Sequence, residues 1–413
     1  MVMGTIYNLS IYILSAFSRL LALINPKARL WVAGIKEWEK RIDCKISPGS
    51  PNIWIHCASL GEFEQGRPVI EALKEKLPDH RIVLTFFSPS GYEIRKNYEK
   101  ADCIIYLPPD TPFNAESFLD KVNPEFAIFV KYEFWNNYIS ALYKRNKPLY
   151  LISGIFRPVQ HFFKWYGGFF REILKKFKMF FVQDEASADL LAGIGLKNAI
   201  VTGDTRFDRV LQIVSAAREI SQLEQFRGDE KLFLAGSSWH QDEEIISEYI
   251  NNYPDRMKWV FAPHEIHREN IDRLEKLFKV KTVRFSQFSE SDRDARVLII
   301  DNMGMLSSAY RYAHIAAIGG GFGKGIHNIL EAACWGLPVM FGPRYEKFRE
   351  AVELIKENGA SSFNSYTGFR SILENWLFND DSYLKSANAA SAYVAKNKGA
   401  TAKILDSILP PTF

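Results

Sequence analysis

The chain has 413 residues, 47% of them hydrophobic and 24% charged, with a net charge of +4. At roughly 100–200 residues per domain this predicts two domains with ample cores, and it excludes a disordered, collagenous or low-complexity chain. The charge is too mild to point by itself to nucleic acid, and the four cysteines, Cys44, Cys57, Cys103 and Cys334, form no C-x-x-C pair, so neither a zinc site nor a disulfide framework is expected.

Residues 4–18 carry no charge, and after Arg19 the apolar character resumes as LLALI. The stretch is short and interrupted for a spanning helix of about 20 residues. It also lacks the basic start and small-residue cleavage site of a signal peptide. Lys27, Arg29, Lys36, Lys40 and Arg41 follow, a bias that would hold the next domain on the cytoplasmic side. Residues 1–30 are therefore expected to anchor the chain to a membrane, lying on the bilayer or inserted in it; a helix packed into the first core is the alternative.

Short apolar runs then alternate with helical or polar segments: Ile53–Cys57, Arg81–Thr85, Cys103–Tyr106, Phe126–Val130, Pro148–Leu151 and Met179–Gln183. A polar, helix-prone stretch at 212–230 separates these from a second series: Lys231–Ala235, Trp259–Ala262, Lys281–Arg284, Val297–Ile300, Ile315–Ile318 and Val339–Phe341. Such alternation predicts parallel sheets with helices on both faces. The fold class expected is α/β, with two Rossmann-like doubly wound domains, 31–205 and 206–413, facing a cleft. Ligands of such sheets bind at the carboxyl ends of the strands.

Several stretches fall at those ends. Ala58-Ser59-Leu60-Gly61-Glu62 follows the first strand and puts a carboxylate on a strand-to-helix turn, where it serves chemistry or complements a helix dipole. Lys131-Tyr132-Glu133-Phe134-Trp135 follows the fourth strand; aromatic walls there can desolvate Glu133, and a Lys131–Glu133 surface pair is the plainer reading. From Phe156 to Phe181, cations including Arg157 and Lys164 interleave with aromatics. That mixture suits an anionic amphiphile, can also stack bases, or forms an ordinary amphipathic core helix. Gly319-Gly320-Gly321-Phe322-Gly323-Lys324-Gly325 follows a strand and should open a helix running through Ala332–Cys334, with phosphate at its amino end and Glu331 at ribose hydroxyls. It is not a G-x-x-x-x-G-K-[ST] loop, which disfavours an ATPase.

Together, His56-Cys57-Ala58-Ser59-Leu60-Gly61-Glu62-Phe63, Tyr132-Glu133-Phe134-Trp135, Val201-Thr202-Gly203-Asp204-Thr205-Arg206-Phe207-Asp208, Gly236-Ser237-Ser238, Asp301-Asn302-Met303-Gly304 and His327-Asn328-Ile329-Leu330-Glu331 resemble the 3-deoxy-D-manno-octulosonic acid (Kdo) transferases of Gram-negative bacteria. The resemblance implies the GT-B fold and inverting transfer of Kdo from CMP-Kdo to an anionic lipid A precursor at the cytoplasmic face of the inner membrane. It implies catalytic roles for Glu62 and Glu133, with Glu62 as base. It places the acceptor on the first domain, at Ser59, Gly61, Lys131, Arg157 and Lys164. Donor contacts fall on the second, at Ser237, His264, Met303, Gly304, Gly320, Gly321, Lys324, Asn328 and Glu331. No metal, cofactor or nucleic acid is expected, since one donor phosphate can be neutralised by backbone N–H groups and nearby cations. The chain departs from the family pattern at Pro263-His264-Glu265, where Pro-Arg-His is usual, in the loop Gly323–Ile326, where Lys324 stands in for a lost cation, and at Trp135-Asn136, where Trp-Pro is usual. The main rival is another enzyme of this fold acting on a nucleotide sugar, such as an epimerase; the hydrophobic amino terminus and basic aromatic segment argue against it. A non-catalytic lipid-binding protein would have no use for two placed glutamates and a nucleotide-type loop.

Overall fold

The computed structural model describes residues 2–47 and 49–409; residues 1, 48 and 410–413 of the three expected segments lie outside the described residues. The described residues up to Arg209, together with those from Lys398 onward, form one compact unit, and Val210–Asn397 form another.

The first unit is built on a seven-stranded sheet of β1 (Asn52–Cys57), β2 (Arg81–Phe86), β3 (Cys103–Tyr106), β4 (Phe126–Val130), β5 (Leu149–Gly154), β6 (Met179–Val182) and β7 (Ala199–Val201), in the order β3-β2-β1-β4-β5-β6-β7. All pairings are parallel. Side chains of β1 alternate between two cores: Trp54 joins Phe118, Phe129 and Tyr138 on one face, while Ile53, Ile55 and Cys57 join Val69, Ile70 and Leu73 on the other. Burial on both faces is why these strands read as unbroken apolar runs. The strand order reverses between β1 and β4, which opens a crevice at their carboxyl ends.

The second unit repeats the plan with β8 (Leu232–Ser238), β9 (Lys258–Pro263), β10 (Thr282–Arg284), β11 (Val297–Ile299), β12 (Ile315–Ile318), β13 (Val339–Phe341) and β14 (Ala360–Ser362), in the order β10-β11-β9-β8-β12-β13-β14. Its order reverses between β8 and β12. The architecture is therefore two parallel-sheet α/β domains, as expected. Strands β7 and β14 were not foreseen; each is a three-residue edge strand, β7 a partly exposed Ala-Ile-Val too short to stand out and β14 only Ala-Ser-Ser.

Three further segments bear on the expectations. The carboxyl-terminal helix Ala400–Ile408 belongs with the first unit: Ile404 and Leu405 enter its core, and the Asp208 carboxylate accepts from Gly399 N (2.6 Å) and Thr401 N (2.7 Å). The aromatics between Phe156 and Phe181 are mostly core, with Phe156, Phe162, Phe177, Phe180 and Phe181 buried; Trp165 is 91% exposed. Finally, the amino-terminal helix Val2–Leu21 keeps Ile6, Leu9, Ile13, Leu14, Phe17 and Leu20 exposed and buries Ile11, so most of its apolar surface stays uncovered. Among the described residues no helix is long and apolar enough to cross a membrane.

Candidate active site

In the first unit both glutamates stand at the crevice between β1 and β4. Ser59 caps the helix Leu60–Lys76: its backbone is extended and its hydroxyl accepts from Gly61 N (3.3 Å). Glu62 lies in the first helical turn, where the dipole favours a negative charge, and the Ser59 hydroxyl donates to it. A Cβ at Gly61 would meet Ser59 Oγ at 3.7 Å, an ordinary contact.

Glu133 is held differently. His56, fully buried in β1, lies directly opposite Thr85 in β2. The Trp54 indole donates to Thr85 Oγ1 (2.9 Å), Thr85 Oγ1 is 2.8 Å from His56 Nδ1, and His56 Nε2 is 3.1 Å from Glu133 Oε2. The Glu133 carboxylate can only accept, which assigns the proton facing it to His56 Nε2, although the Trp135 indole also approaches that nitrogen at 3.2 Å. The Trp135 indole donates to the same carboxylate oxygen at 2.6 Å. Two N–H donors thus fix Glu133, against a single hydroxyl for Glu62. Burial and the charges of Glu62, Glu133 and Glu64 push the adjacent Cys57 thiol well above its usual range, so it stays a neutral thiol.

Around this pair, Lys131 adopts a left-handed backbone (φ 69°) at the end of β4, and its ammonium lies over the Tyr132 ring at 5.6 Å. Ser153 in β5 is also left-handed (φ 53°). Such strain in non-glycine residues concentrates at functional sites. Burial raises the Tyr132 phenol; Arg157 opposes the rise, and Asp184 and Glu62 add to it. Lys164 is half-buried in the connection after β5, and its carbonyl accepts from Arg171 (2.9 Å). The structure gives Lys164 a place in the loop framework.

In the second unit a cavity of about 670 Å³ opens at the β8/β12 crevice, lined by Trp239, Asp242, Glu265, Gly320, Lys324 and His327 among others. Ser237 (φ 51°) is a further left-handed position, at the end of β8. The rings of Trp239, His264 and His327 stack, with centroids 4.7 Å and 4.5 Å apart along the series. The Trp239 indole donates to His327 Nε2 (3.0 Å), which leaves the His327 proton on Nδ1. Burial, with His264 beside it, pushes His327 down to about 4. That shift favours the neutral form of His327, and Lys324 is an exposed cation of this wall.

The glycine segment does not open a helix at His327. The helix starts at Leu330 and has four residues, Leu330–Ala333; before it, Gly319 O accepts from His327 N and Gly320 O from Gly323 N and Gly325 N in turns, and Asn328 Oδ1 accepts from Leu330 N (3.2 Å). Gly320 (φ 92°) donates its N–H to Asp242 Oδ2 (3.0 Å), and Gly321 lies so close to Gly342 that a Cβ would sit 2.6 Å from its backbone. Asn328 Nδ2 (3.0 Å) and Ser307 Oγ (2.6 Å) donate to Glu331. Met303, 79% exposed, and Gly304 (φ 90°) lie on the loop after β11, two strands from β8 in the sheet.

Sequence reading passed over His56 and Thr85 as site residues, and over Asp242, whose carboxyl burial pushes up to about 6. A histidine inside a wholly buried strand was the available signal for the first.

Residues 36–209 match the family described as 3-deoxy-D-manno-octulosonic-acid transferase (kdotransferase). The chain is 29% identical over 314 residues to the 3-deoxy-D-manno-octulosonic acid transferase of Aquifex aeolicus, covering 75% of this chain and 80% of that one. It is 25% identical over 410 residues to the Haemophilus influenzae protein of the same name, covering 95% and 94%. Residues 36–209 are a Kdo transferase domain, and the chain as a whole is similar to Kdo transferases. It is thus an enzyme, a glycosyltransferase, and the matched segment contains every first-unit residue of the site. Among solved structures, the UDP-GlcNAc 2-epimerase of Neisseria meningitidis bound to UDP-GlcNAc aligns with a TM-score of 0.61 at 18% identity, covering 86% of this chain and 99% of the epimerase. At that identity the likeness is one of fold.

Proposed function

We propose that the enzyme transfers Kdo from CMP-Kdo to a lipid A precursor in lipopolysaccharide synthesis, with inversion at the anomeric carbon. The observation that carries this reading is the unequal pair of carboxylates at the β1/β4 crevice. Glu62, on a helix terminus with one hydroxyl partner, takes the proton from the attacking acceptor hydroxyl. The new C–O bond forms at the anomeric carbon as the bond to the phosphate oxygen breaks, and CMP leaves with the electron pair. Glu133, fixed by two N–H donors, holds negative charge toward the developing positive sugar. Lys131 and Arg157 meet acceptor anions. In the second unit Lys324 faces the donor phosphate and Glu331 the ribose.

The acceptor is a lipid, and the exposed apolar side chains of the amino-terminal helix, with Trp165 at 91% exposure, would lie in the cytoplasmic leaflet rather than span it. Turnover of CMP-Kdo with a defined lipid acceptor, followed by mass spectrometry, tests the reading. Glu62→Gln should cut kcat by roughly 10²–10⁴-fold while CMP affinity stays unchanged. Near-normal turnover of Glu62→Gln with loss in Glu133→Gln would exchange their roles, and tight UDP binding with no CMP binding would point to the epimerase chemistry of the fold neighbours.

A further inference from the structure

The amino-terminal helix does more than present apolar side chains. Helix Asn136–Lys144 starts directly after Trp135, whose own side chain makes no cap. Its first N–H groups are satisfied from elsewhere. Asp110, on the loop after β3 and 1% exposed, accepts from Asn137 N (3.0 Å) and Tyr138 N (2.9 Å). The remaining one, Asn136 N, donates to the phenol oxygen of Tyr7 at 3.3 Å. Tyr7 in turn donates to Asp110 Oδ2 at 2.6 Å, its ring lies 5.9 Å from that of Phe169, and neighbouring Asn8 accepts from Asn137 Nδ2 at 2.9 Å. Burial, with Asp110 alongside, raises the Tyr7 phenol, so it remains a donor across the working pH range. One residue before Asn136, the Trp135 indole donates to Glu133.

We infer that Tyr7 is a positioning residue: by completing the cap of helix Asn136–Lys144, the amino-terminal helix fixes the turn that aims Trp135 and Glu133. Docking of that helix and readiness of the site are thereby coupled, so the enzyme is fully competent only when the helix is seated. Proline at position 136 would present no N–H and would need no such partner; Asn136 creates the demand that Tyr7 meets. The inference rests on the reading of Glu133 as a site carboxylate.

The test uses the full chain with CMP-Kdo and a lipid acceptor, both in detergent and on anionic vesicles. For Tyr7→Phe, kcat should fall by roughly tenfold, the factor one hydrogen bond carries, in detergent as well as on vesicles. Vesicle sedimentation and CMP affinity should be unchanged. Asn136→Pro should restore part of that loss when combined with Tyr7→Phe. Full kcat in Tyr7→Phe overturns the inference. So does a loss confined to vesicles and matched by release from them, which would make the helix an anchor alone, or a double variant no faster than Tyr7→Phe. A wild-type chain that transfers no Kdo at all would instead refute the proposed function.

Discussion

Replacing Thr85 by valine removes one hydroxyl at nearly constant volume, and its consequences follow from the chain of bonds through the sheet. Thr85 is fully buried; it accepts from the Trp54 indole at 2.9 Å and sits 2.8 Å from His56 Nδ1. In Thr85→Val both nitrogens lose their partner in a region closed to water. An unsatisfied buried polar group costs about 1–3 kcal/mol, so two should destabilise the first unit by about 2–4 kcal/mol once relaxation is allowed for. At roughly 2–4 °C per kcal/mol for a unit of this size, the melting transition should drop by about 5–15 °C. His56 would also lose the contact that sets its tautomer, so the Nε2–H donation to Glu133 weakens and kcat should fall as well. Thr85→Ser is the control: it keeps the hydroxyl and loses one methyl group, worth about 0.8 kcal/mol. Calorimetry and turnover measured on both variants check this. If Thr85→Val melts within 1 °C of wild type with unchanged kcat, the relay from Trp54 to Glu133 does not organise the site.

Three further outcomes are expected. Gly236→Ala would drive its Cβ into the hydroxyl of the fully buried Tyr310, so soluble expression or the melting temperature of the second unit should fall sharply, and Tyr310→Phe should relieve part of the loss. Asp208→Ala uncaps the carboxyl-terminal helix by removing two acceptors and should cost about 1–2 kcal/mol, visible as faster amide exchange over Ala400–Ile408; exchange at the wild-type rate would refute the docking. His327, pushed down to about 4 from 6.5, contributes stability that is present above pH 6.5 and lost as the pH falls toward 4, because the unfolded chain takes up the proton first. Asp242, pushed up to about 6 from 3.8, acts in the opposite sense, gaining stability as the pH falls through 6. His327→Gln should therefore flatten or invert the acid slope of the melting temperature, and a slope equal to wild type would show that His327 is not the group responsible.

Much of the fold was legible in the sequence for one reason: parallel strands buried on both faces leave continuous apolar runs, so twelve of the fourteen strands stand out and only the short edge strands β7 and β14 escape notice. The positions of Glu62 and Glu133 were legible because a strand-to-helix turn in such a sheet always faces the crevice. What the sequence could not carry was register and docking. His56 and Thr85 are 29 residues apart and become partners only when β1 and β2 pair in register. Tyr7 reaches Asn136 across 129 positions, and Asp208 reaches Gly399 across 191, through helices whose seats are fixed by packing. The aromatic run from Phe156 to Phe181 has a composition that serves a membrane surface or a core equally well; tertiary burial put most of its rings inside and left Trp165 out. The glycine loop shows the same limit at short range. Its composition announced a close approach of backbone, but in the folded chain 319–327 forms turns and the helix begins only at Leu330. Local pattern determines which segments become strands and which turns carry chemistry, whereas the partners of a buried polar group depend on contacts between residues far apart in the chain, and those exist only once the sheets and helices have packed.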